Sequence, residues 1–213
     1  EKTGFPEIMD GRVKTLHPII HGGLLGRRGI DDSVMKNHKI EPIDLLVVNL
    51  YPFKETISNP ITTLNEAIEN IDIGGPAMIR GASKNHDGVA VLVDPGDYDD
   101  FLEKLNNNNL PLDYRQQLAA KAFGHTASYD ASITQYLSRS FSQKTFTDQF
   151  FYTGKLISKL RYGENPHQEA AFYKDESITK DNSLASANQL QGKELSYNNI
   201  SDSAAAYDCV NQF

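Results

Sequence analysis

The chain has 213 residues, 39% hydrophobic and 23% charged, with a formal net charge of −7. That composition is globular and excludes a chain too polar to bury a core, and the length suits one ordinary domain and part of a second. The acidic balance argues against nucleic acid or an anionic membrane as partner, and no apolar run approaches the ~20 residues that span a bilayer.

The first informative stretch is "RVKTLHPIIHGGLLGRR", residues 12–28, strongly basic within an acidic chain. Extended backbone would place Arg12 and Lys14 on one face, with the Thr15 hydroxyl nearby. Two cations and a hydroxyl suit a phosphate or a developing oxyanion, and a solvated basic strand is equally consistent. His17 and His21 are four apart, but Pro18 between them opposes a helical metal pair, and no nearby ligand completes a set. No metal site is expected.

"IDLLVVNL", residues 43–50, and "VAVLV", residues 89–93, are short β-branched runs that predict buried parallel strands. Between them "ITTLNEAIENI" has helical spacing, and "GPAMIRGASKNH" predicts a second helix with Pro76 in its first turn. Strand, helix, helix, strand is the order of an α/β fold with a mostly parallel sheet. Further helices are expected over "DYDDFLEKL" and from Asp113 to Arg139. A polar and aromatic linker then separates a second unit of short strands and turns, with the boundary between Phe141 and Phe151. Cys209, the one cysteine, excludes an intramolecular disulfide framework and fits a reducing, cytoplasmic setting; it is expected to pack within a C-terminal helix. The chain opens on Glu1 rather than Met and stops inside that helix, so it reads as a fragment lacking material at both ends.

Three further segments could carry chemistry. "NLYPF" follows the first strand, and open α/β sheets bind ligands outside the carboxyl ends of their strands, where Asn49 and Tyr51 would point. A rigid turn with a packed tyrosine is the plainer alternative. In "NIDIGGPAMIR", Gly74 and Gly75 permit close approach of backbone to ligand at a helix start, while Asp72 either joins the site or caps the helix. Lys84 in "SKNH" either complements the end of the helix dipole or, with a lowered pKa, moves protons.

Five segments occur together in one order: "MDGRVKTLHPIIHGGLLGR", "IDLLVVNLYPF", "IENIDIGGPAMIRGASKNH", "RYGENPHQ" and "LQGKELSYNN". In this the chain closely resembles the bifunctional purine-biosynthesis family that combines phosphoribosylaminoimidazolecarboxamide formyltransferase with IMP cyclohydrolase. The resemblance covers nearly the whole chain. It implies a methylglyoxal synthase-like cyclohydrolase domain over residues 1–145 and the beginning of a cytidine deaminase-like formyltransferase domain over residues 146–213. The reactions implied are ring closure of formamidoimidazole carboxamide ribonucleotide (FAICAR) to IMP and, in the full-length protein, formyl transfer from 10-formyltetrahydrofolate to the aminoimidazole ribonucleotide AICAR. Ring closure needs no cofactor, and the assembly implied is a cytoplasmic homodimer.

Carried over by motif, Lys14, Tyr51, Asp72 and Lys84 would form the cyclohydrolase active site around one purine precursor, with Lys84 transferring protons. Arg12, Val13, Thr15, Val48, Asn49 and Ile73 would contact nucleotide, with Gly74 and Gly75 beside them. Arg161, Tyr162 and Asn199 would bind ribonucleotide in the second site. The resemblance also places a first strand and phosphate loops ahead of Glu1, and the folate region beyond Phe213, so the fragment is expected to be incomplete for both reactions. Gly81 and Ser83 stand where relatives often carry alanine. A rival of another class is a non-catalytic nucleotide- or phosphate-sensing module of the same fold.

Overall fold

A computed structural model describes residues 2–9, 11–141, 149–175 and 183–213. The chain divides into two compact units, Glu1–Gln143 and Lys144–Phe213. The first holds α1 (Pro18–Leu25), α2 (Asp32–Asn37), β1 (Leu45–Val47), α3 (Phe53–Ser58), α4 (Leu64–Glu69), α5 (Gly74–Lys84), β2 (Ala90–Leu92), α6 (Tyr98–Asn106) and α7 (Leu112–Phe141). The second holds β3 (Gly154–Lys159), β4 (Ala171–Asp175) and α8 (Tyr197–Val210).

β1 and β2 pair in parallel, Leu45 opposite Ala90 and Val47 opposite Leu92. The parallel α/β order expected from the two apolar runs is therefore present, in shorter strands. Only β2 is wholly buried; Leu45 and Val47 are exposed. The difference lies in packing, because both α5 and α7 pack on β2, while β1 packs against α5. The core gathers Leu24 of α1, Ile79 and Ala82 of α5, residues 89–93 and Leu118, Ala119 and Ala122 of α7. A smaller cluster sets Phe53 and Ala67 against Tyr129 of α7.

Local chemistry explains the helix starts. Pro18 opens α1, and His17 Nδ1 accepts the Ile19 N–H at 3.1 Å. The proline that argued against a helix running through both histidines instead begins one, at the position where its missing N–H costs nothing. His17 is thus a cap, and residues 11–15 before it form turns and bends rather than the expected extended face. Thr63 and Glu66 open α4 with a reciprocal capping box. At the other end of α5, buried Asn85 donates to the Leu24 and Gly26 carbonyls at 2.8 and 3.1 Å, which ties α5 to the end of α1. Lys121 of α7 reaches Asp94 at 2.7 Å and Asp97 at 2.8 Å, clamping the turn after β2.

In the second unit β3 and β4 form an antiparallel pair with an irregularity between Leu156 and Ser158. Cys209 lies in α8 but is exposed, not packed as expected, because α8 buries no residue. Among the described residues no helix is long and apolar enough to cross a membrane.

Candidate functional site

A cavity of about 570 Å³ opens beyond the carboxyl end of β1. Three pieces of chain form it. The 11–16 turn supplies Arg12, Lys14 and Thr15; the segment after β1 supplies Val48, Asn49 and Tyr51; the entry to α5 supplies Asp72, Ile73, Gly74 and Gly75. Val48 N–H still donates to the Leu92 carbonyl at 3.1 Å, so the sheet's pairing carries on to the edge of the cavity. Val13 does not line it; its N–H reaches the Ile8 carbonyl in an isolated bridge that pins the turn.

Asp72 is the best-anchored polar side chain here. One carboxylate oxygen accepts the Gly75 N–H at 2.8 Å, and the other faces the Tyr51 N–H at 3.4 Å. Ile73, at the formal cap of α5, provides no side-chain bond, so Asp72 performs the capping from one residue earlier. The capping and the cavity-lining alternatives are therefore compatible, and one carboxylate does both. Its packing also explains a glycine. A Cβ at Gly75 would stand 2.6 Å from the Asp72 carboxylate and 2.6 Å from Leu50. At Gly74 it would run into the Thr15 hydroxyl, so the 11–16 turn approaches α5 closely through that position.

The cations have carboxylate company that the motifs did not reveal. Arg12 pairs with Glu69 at the end of α4, and Lys14 with Glu7 at 3.2 Å. Glu69 lines the cavity and comes within reach of Arg12 only because the chain folds back over 57 residues. All four side chains are largely solvated, so these pairs contribute at most about 1 kcal/mol each and can be exchanged for an anionic ligand.

Lys84 is elsewhere. It lies at the far end of α5 from Gly74, on the order of 15 Å away along the helix axis. There it lines a second groove of about 490 Å³ with His21, Arg80, Ser83, His86 and Phe123. Within one copy of the chain the cavity gathers three of the four expected side chains: the same helix that brings Asp72 in carries Lys84 to the other groove. Ser83 Oγ and His21 Nε2 are buried in this region without a hydrogen-bond partner among the described residues. Among the described residues no group of three or more His, Cys, Asp or Glu could hold a metal ion.

In the second unit Arg161 sits over the Tyr162 ring at 5.4 Å. Asn199 Oδ1 accepts from Ser196 N–H at 3.2 Å and from the Ser196 hydroxyl at 2.9 Å, closing a capping box at the start of α8. Neighbouring Asn198 donates to the Glu164 carbonyl at 3.4 Å, so "RYGENPHQ" and "LSYNN" do touch. Here Asn199 serves the helix.

Residues 1–77 match the family model of the MGS-like domain, and residues 82–213 match that of the AICARFT/IMPCHase bienzyme. The bifunctional purine biosynthesis protein PurH of Bacillus subtilis (strain 168) is 56% identical over 216 residues, covering 100% of this chain and 42% of that protein. The chain thus spans less than half the length of this relative. A solved structure, described as the crystal structure of ForH, matches with a TM-score of 0.56 and 38% identity, over 66% of this chain and 74% of that one.

Proposed function

Because the chain belongs to the AICARFT/IMPCHase bienzyme family, we propose that the cavity beyond β1 closes the purine ring of FAICAR to give IMP, within a longer protein that also transfers a formyl group. The observation that carries this reading is the convergence of Lys14, Tyr51 and Asp72 on one cavity from three separate segments. A sensing module of the same fold needs cations for a phosphate, but has no use for a phenol and an anchored carboxylate beside them.

The reaction joins the carboxamide nitrogen of the ribonucleotide to its formyl carbon, and the formyl oxygen leaves as water. An amide is a weak nucleophile, so the site must hold the two groups in near-attack geometry. Asp72, fixed by the Gly75 and Tyr51 amides, is suited to accept from the carboxamide N–H and aim it. Lys14 and the Tyr51 hydroxyl would stabilise charge on the oxygen of the tetrahedral carbon. Arg12 and the backbone at 73–75 would hold the nucleotide. Ring closure in this scheme uses no cofactor. Lys84 lines a separate groove of its own chain; in the homodimer implied by the resemblance it would act from the second copy. Arg161, Tyr162 and Asn199 belong, in the same proposal, to a formyltransferase site completed by further chain and served by 10-formyltetrahydrofolate. A cytoplasmic location and small purine ribonucleotides as partners, rather than nucleic acid or membrane, complete the reading.

The test is a ring-closure assay on the full-length protein after treatment with EDTA. FAICAR should be converted to IMP, and Lys14→Ala should lower turnover by ~10²–10³, the scale for losing one oxyanion donor. Absence of IMP, or undiminished turnover in the variant, would refute the proposal.

A further inference from the structure

The turn that carries Asp72 into the cavity is held from behind by Tyr129, a residue of α7 that does not line the cavity. Tyr129 is 8% exposed. Its hydroxyl accepts the Asp72 N–H at 2.9 Å and donates to the Asn70 carbonyl at 3.2 Å. One phenol therefore bridges two backbone groups on either side of Ile71, at the point where α4 has ended and α5 has not begun. The ring is fixed independently, edge-on to Phe53 at 6.2 Å. Burial pushes the phenol's pKa upward, which keeps its proton in place to serve the Asn70 carbonyl.

We propose that Tyr129 is a positioning residue for ring closure, acting through Asp72 by fixing the Asn70–Asp72 turn that presents the carboxylate to the cavity. The proposal rests on the reading of that cavity as the ring-closing site. Helix α4 ends at Glu69, and α5 begins only at Gly74. The intervening residues are irregular, so their path is set by bonds to something rigid. Long, well-packed α7 is that scaffold. Without the hydroxyl, the Asp72 side chain keeps its bonds to Gly75 and Tyr51 while its backbone is released. The carboxylate is then misplaced rather than lost. Displacements of about 1 Å at a reacting group can cost ~10²-fold in rate, and a partial shift should cost about tenfold.

The experiment is a double-mutant cycle in the full-length protein, with kcat and KM for FAICAR measured for wild type, Tyr129→Phe, Asp72→Asn and the double variant. Tyr129→Phe should lower kcat about tenfold with KM little changed, the sign of an interaction felt in the transition state. In the Asp72→Asn background the same change should cost less than about twofold, because the group it positions is gone. Leu118→Ala, which opens a hole in the main core about three helical turns from Tyr129, serves as the stability control; it should lower Tm while leaving kcat near wild type. Equal losses in both backgrounds, a wild-type kcat for folded Tyr129→Phe, or a kcat loss in Leu118→Ala matching that of Tyr129→Phe would each overturn the positioning role. If Asp72→Asn itself turns over normally, the cavity reading falls first and the proposal with it.

Discussion

A single methyl group tests whether Asp72 matters for its position. Gly75→Ala would drive a Cβ to 2.6 Å from the Asp72 carboxylate and from a Leu50 methyl, both at the ends of side chains that can swing away. The fold should therefore survive, with the melting temperature changed by a few degrees. Turnover should fall tenfold or more, since the carboxylate is what must move. Normal kinetics in a folded Gly75→Ala protein would show that its placement is not critical. At this scale much of the site was legible: Lys14, Tyr51, Asp72 and the two glycines each stand in a short motif whose chemistry is local. Tyr129 and Glu69 were not. Their roles depend on contacts 57 residues away in each case; Tyr129 stands in none of the five segments, and Glu69 stands in one whose local chemistry does not single it out.

At the scale of elements, the β-branched runs and the helical spacing between them revealed the parallel pair and the helices crossing over it. Three short helices, α1, α2 and α3, were not read at all. Each has eight or fewer residues, too few to display a period, and α1 is capped by a histidine rather than a usual capping side chain. The misplacement of Lys84 is also a matter of elements. The family resemblance grouped Lys84 with Asp72, but the eleven residues Gly74–Lys84 that follow Asp72 and Ile73 are one helix. A helix keeps residues close only when they lie within about a turn of each other. α5 is better regarded as a rod with one functional end in the cavity and another, bearing Arg80 and Lys84, in a separate groove.

That rod yields a prediction for the whole molecule. If Lys84 serves the cavity of a second copy, Lys14→Ala and Lys84→Ala remove different halves of a site shared between protomers. Each variant alone should be nearly inactive. Mixed and reassembled in equal amounts, half the dimers carry one of each, and one of their two sites has both lysines. Activity should then recover to about a quarter of wild type, as expected for a two-fold symmetric dimer. Full activity of Lys84→Ala, or no recovery on mixing, would exclude the shared site. In a chain of net charge −7, Arg12 and Lys14 bring cations to the lining of the cavity.

The cavity beyond β1, in the proposed function, is a purine nucleotide pocket. Diffraction from crystals of the full-length protein soaked with IMP tests it most directly. Density is expected with the base between Val48–Asn49 and the 73–75 backbone, and with Asp72 and Lys14 within hydrogen-bonding reach. Clear density for IMP bound at another place, with this cavity left empty, would contradict it.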